Sequence, residues 1–150
     1  VAVNTVSDLT VAGRDNQGST LLEIASLLSD GAPNEGFSLT ELNTKASAEL
    51  KRFGSDLQGQ LGLIGVTVPP ALQLRGDNVG ALHVIGEHVL KSEIEVFLNA
   101  NTRILKWYKE VEVMHEILRS TQLGEGQSLE NQVFNLGLTS LGCVAFFSML

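Results

Sequence analysis

The chain has 150 residues, the size of one domain, and a chain of that length builds a core without disulfide or metal staples. Ten Lys and Arg stand against 17 Asp and Glu, a net charge of −7. The basic residues are scattered, which argues against nucleic acid and against polybasic adhesion to anionic lipid, both of which need clustered cations. Cys143 is the only cysteine, so no intramolecular disulfide forms, and its apolar surroundings mark it as a small buried hydrophobe. Charged residues are only 18% of the chain against a usual figure of about 25%, so uncharged surface must be covered by a partner or dressed with Ser, Thr, Asn and Gln.

Residues 1–10 alternate loosely between Val or Leu and polar side chains, and 1–18 reads as a short strand or an extended arm ending in the loop Gly13–Gly18. Thr20 and Glu23 have the spacing of a capping box, which predicts a first helix near 20–30, ended by Asp30-Gly31-Ala32-Pro33. Ser38 and Glu41 repeat the signal, with Phe37 placed as a hydrophobic staple. From there Leu39, Leu42, Ala46, Phe53 and Leu57 recur at helical steps, predicting a second helix over 38–64. Gly54, Gly59, Gly62 and Gly65 weaken it, each by about 1 kcal/mol against Ala in a helix interior, unless a neighbouring backbone packs closely there. Val66-Thr67-Val68-Pro69-Pro70 is extended, because proline disfavours the α region in the residue before it.

The strongest periodicity lies between Asn78 and Thr121. Leu82, Ile85, Val89, Val96, Ala100, Trp107, Val111, Met114 and Leu118 form one stripe, and Leu90, Ile94, Phe97, Ile104 and Tyr108 form another beside it. Read as one helix, 78–121 would span roughly 65 Å, far longer than the ~15 Å radius of gyration of a compact chain of this size. Either it breaks near Asn99–Asn101 or the molecule is elongated, and elongation is the reading adopted. After the turn at Gly124-Glu125-Gly126, Ser128 caps a last, apolar helix over 128–150. Its final 20 residues, Asn131 to Leu150, carry no charge.

No constellation of catalytic residues stands out. Glu112 and His115 sit three apart on one helix face, a spacing used by carboxylate-bridged metal bundles, but a second Glu-x-x-His is missing. They are weak metal candidates, and no metal or other cofactor is expected. The glycines from Gly59 to Gly65 lack the Lys-Ser/Thr of a phosphate loop, and no Gly-x-Ser-x-Gly elbow occurs.

The expected fold is therefore all-α: a single elongated helical bundle organised around the helix at 78–121. The expected function is that of a non-enzymatic structural or assembly protein, the subunit of a homo-oligomer, filament or shell. Its interface would be formed by Val96, Phe97, Trp107, Val111, Phe146 and Phe147. The alternative is a membrane- or lipid-active protein inserting 131–150, whose length meets the minimum for a bilayer span. A metal-carboxylate enzyme is a distant third.

Overall fold

A computed structural model describes residues 38–150. It is an α+β domain with a four-stranded antiparallel sheet, and this overturns the all-α helical-bundle expectation. In chain order the elements are α1 (Leu39–Leu63), the hairpin β1 (Leu72–Gly76) and β2 (Leu82–Ile85), the helices α2 (Lys91–Asn99) and α3 (Thr102–Gln122), a 3-10 turn (Leu129–Asn131), and the hairpin β3 (Gln132–Thr139) and β4 (Gly142–Met149). The sheet order is β2-β1-β3-β4. The arm at 1–18 and the helix at 20–30 lie outside the described residues.

The second expected helix forms as α1. Ser38 Oγ accepts from the Glu41 N–H at 3.3 Å, the forward bond of the capping box. Leu42, Ala46, Phe53 and Leu57 of its stripe are buried. Gly54 marks a close approach: a Cβ there would collide with the Cβ of Cys143 on β4, so the helix crosses the strand where it has no side chain. Gly65, at φ 84°, lies just past the helix end.

The single helix at 78–121 does not exist. Its first part is strand β2, entered from a loop in which Asp77 Oδ1 accepts from Val79 N–H at 3.0 Å and Ala81 N–H at 2.9 Å. Gly80 and Gly86, at φ 88° and 87°, adopt a backbone that a right-handed helix forbids. The remainder divides at Asn99–Asn101, where Asn101 Oδ1 caps α3 by accepting from Ile104 N–H at 3.1 Å. The elongated shape goes with it, since α2 and α3 fold back over the sheet. The apolar C-terminal helix is also overturned. Ser128 caps only the 3-10 turn, through the Glu130 N–H at 3.1 Å, and 132–149 is a β-hairpin.

All three described helices cover one face of the sheet. Leu72, Leu74, Leu82, Val84, Phe134, Leu136 and Leu138 point into that layer and meet Phe53, Leu57, Leu61, Ile94, Leu98, Ile104, Tyr108 and Val111. A smaller cluster joins the start of α1 to the end of α3 through Leu42, Ala46, Val113, Met114 and Ile117. Phe147 touches both. Edge-to-face aromatic contacts run through the core from Trp107 to Phe53 (5.4 Å), Tyr108 (6.1 Å), Phe134 (5.9 Å) and Phe147 (5.6 Å), an arrangement that suits the ring quadrupoles.

Candidate interaction surface

The two edges of the sheet are built differently. At the β2 edge, α2 lies alongside and its side chains take the place of a further strand. Asn99 Oδ1 accepts from Leu82 N–H at 2.8 Å, and Asn99 Nδ2 donates to Leu82 O at 2.9 Å. One helical turn earlier, Glu95 Oε2 accepts from Val84 N–H at 2.9 Å. Strand residues two apart are thus matched by helix residues four apart, because side chains at i and i+4 stack on one helix face. Leu82 N–H, Leu82 O and Val84 N–H, three of the outward backbone groups of this edge, are therefore already bonded.

His83 completes a cluster at the same edge. Its Nε2 lies 2.7 Å from Asp77 Oδ2 and its Nδ1 3.9 Å from Glu95 Oε1. The imidazole holds Asp77 below the usual carboxylate range, chiefly through that hydrogen bond. Asp77 and Glu95 each also accept from backbone N–H groups, so the cluster ties the loop, the strand and the helix together.

At the opposite edge no described residue covers β4 in this way. Leu150 N–H donates to Asn131 O at 3.0 Å. Antiparallel alternation from that bond turns the N–H and C=O of Cys143, Ala145, Phe147 and Met149 away from β3. Among the described residues no strand pairs with them. β4 has eight residues and includes no Lys, Pro, Asp or Glu, the residues with which natural sheets usually protect an edge. Its inward side chains Cys143, Ala145 and Phe147 join the core, whereas Val144 and Phe146 stay 49% and 41% exposed on the other face. Leu141 (99%) stands at one end, with Met149 (70%) and Leu150 (82%) at the other.

Beside this strip the outer face is polar and tightly bonded. Asn135 on β3 is fully buried: its Oδ1 accepts from Gln73 Nε2 and Arg75 Nε, both at 3.0 Å, and its Nδ2 donates to Ser148 Oγ at 2.9 Å. This ladder fixes β1, β3 and β4 side by side. On the helix side of β4 a cleft of about 640 Å³ opens between the start of α1 and the end of α3, lined by Leu39, His115, Arg119, Ala145 and Phe147. The Arg119 guanidinium lies 5.8 Å over the Phe147 ring and its Nε donates to Gln132 Oε1 at 2.9 Å.

The interface residues expected from sequence are not brought together. Val96 is 70% exposed on α2, while Val111 is fully buried in the core. Phe97 and Trp107 are partly buried against the core, and Trp107 Nε1 donates to Glu49 Oε2 at 2.9 Å. Only Phe146 and Phe147 belong to β4. The members of the apolar strip that sequence reasoning missed are Leu141, Val144, Met149 and Leu150. The signal for them was the uncharged run itself, once read with a period of two.

Glu112 and His115 are each engaged elsewhere. Glu112 Oε1 pairs with Lys109 Nζ at 2.9 Å. His115 Nδ1 donates to Val111 O at 2.8 Å, its ring lies 5.4 Å from that of Phe134, and burial lowers its pKa so that the neutral form is favoured. Among the described residues no group of three or more His, Cys, Asp or Glu is arranged to hold a metal ion, and no helix is long and apolar enough to cross a membrane. Cys143 is a poor nucleophile, its thiol pushed up to about 12 by burial.

No family model, curated protein or solved structure matches the chain.

Proposed function

We propose that the chain is a structural subunit that associates with copies of itself through the outer edge of β4. The observation that carries this reading is the contrast between the edges: one is capped by Glu95 and Asn99, and the other, among the described residues, is unpaired, uncharged and accompanied by exposed Leu141, Val144, Phe146 and Met149. An exposed edge strand is a template for backbone pairing, and evolved sheets normally blunt it with charge, proline or a bulge. Keeping β4 free of all three in a chain of net charge −7 favours a surface meant to be covered. β4 itself contains no acidic residue, so two copies can pair these strands without like charges face to face. A scattered exposed apolar residue needs no explanation, but a contiguous strip along an open edge does.

Light scattering at micromolar concentration tests the reading. The expected mass exceeds the 16.1 kDa of one chain and falls back to it in the Val144→Lys/Phe146→Lys variant. Both positions point away from the helix layer, so this variant keeps its core. A wild-type chain that stays at 16.1 kDa overturns the proposal. If that monomer also cosediments with lipid vesicles through residues 131–150, a lipid-directed role takes its place.

A further inference from the structure

The contrast between the edges also limits the form of the assembly. We infer that the chain forms a closed two-fold dimer in which β4 pairs antiparallel with β4 of a second copy about Ala145, and that the α2 cap on β2 stops growth there. The inference rests on the self-association proposed above.

A subunit with two open edges adds copies head to tail and propagates as a fibre, whereas an interface that uses the same patch on both copies closes on itself. Here β4 has no open β2 edge to meet. Leu82 N–H, Leu82 O and Val84 N–H are already bonded to Asn99 and Glu95. The only open edge available to β4 among the described elements is another β4.

The side chains then set the register. Turning β4 about Ala145 places Val144 opposite Phe146 of the second copy, Cys143 opposite Phe147, and Leu141 opposite Met149. Val144 and Phe146, the exposed side chains on the outer face of the strand, each meet an apolar partner. The parity is also correct: Cys143, Ala145 and Phe147, whose N–H and C=O groups point outward, become hydrogen-bonded pairs, and Val144 and Phe146 become a non-hydrogen-bonded pair. The faces match as well, since Cys143, Ala145 and Phe147 stay on the helix side in both copies. The strand spans roughly 27 Å, so the joined edges form one continuous eight-stranded sheet.

The test combines mass with cross-linking. In a Cys143→Ala background, chains carrying Val144→Cys are mixed with chains carrying Phe146→Cys under oxidised glutathione. Non-hydrogen-bonded partners have Cα atoms about 4.5 Å apart, within disulfide reach. The expected result is a covalent dimer in the mixture and none from either variant alone, together with a wild-type mass that saturates at twice 16.1 kDa. Removing the cap with Glu95→Ala/Asn99→Ala, with the fold checked by circular dichroism, should carry growth past the dimer. A wild-type mass that keeps rising with concentration overturns the closed dimer while leaving self-association intact. Cross-linking of the Phe146→Cys chain with itself overturns the register. A monomer at every concentration, without cross-links, overturns both this inference and the function it rests on.

Discussion

Asn99 holds both backbone groups of Leu82, accepting from its N–H at 2.8 Å and donating to its carbonyl at 2.9 Å. One amide side chain thus does for an edge residue what a paired strand would do. Asn99→Ala removes both bonds, and because the site is only part-buried, water replaces some of their value. The expected loss is about 1–2 kcal/mol, read from urea denaturation, with faster amide exchange at Leu82 than at Leu74 in the sheet interior. Unchanged stability would mean that the cap contributes nothing to holding the edge.

The glycines of α1 separate into two kinds. Gly54→Ala drives a methyl group against Cys143 and should destabilise by about 1–3 kcal/mol despite the gain in helix propensity. Gly59 has open space around its missing side chain, so Gly59→Ala should stabilise by up to about 1 kcal/mol. Thermal melts of both variants check the pair, and equal effects would contradict the close helix–strand crossing.

His115 makes stability sensitive to acid. Its folded pKa lies below the ordinary 6.5, so between the two values the unfolded chain binds more protons than the folded one. Its contribution is full above about pH 6.5 and falls as pH drops towards the folded pKa. Comparing chemical denaturation of the wild type and His115→Gln from pH 7 to 5 should show a shallower decline in the variant. A steeper decline in the variant would refute the assignment.

Cys143 should resist alkylation in the native protein at pH 8 and react on unfolding, because its thiol is pushed up to about 12 and its side chain faces α1. The labelling rate then reports opening of the crossing between α1 and β4. Rapid native labelling would show that the strand is not seated there.

What the sequence revealed depended on which period governed each segment. Helix α1 was legible because Ser38, Glu41, Leu42, Ala46, Phe53 and Leu57 all agree with a period of 3.6. Strand β2 was not, since Leu82 and Ile85 also satisfy a helical step. Its real pattern, Leu82 and Val84 inward with His83 outward, is only four residues long. The telling marks were Gly80 and Gly86, tolerable in a helix by propensity yet required here for positive φ. In β4 the alternation was hidden because both faces are apolar, Cys143, Ala145 and Phe147 on one and Val144 and Phe146 on the other. The residues of the expected interface are dispersed for a related reason. Val111 and Val96 share a stripe only if 78–121 is one helix, and the break at Asn99–Asn101 puts Val111 inside and leaves Val96 outside. Phe146 and Phe147 lie apart from the other four, on β4.

The pairing of β1 with β3 has a consequence for how the chain reaches its native state. Each hairpin closes over a short loop, but Gln73 and Asn135, joined at the centre of the sheet, lie 62 positions apart. Loop-closure entropy must be overcome before that junction returns any energy. The two hairpins can therefore form early and independently, while the seam between them sets the rate. Shortening the Gly124–Gln127 turn or stiffening it with proline should act on folding speed through this seam, and changes at the tight Ser140–Leu141 turn should leave it nearly untouched.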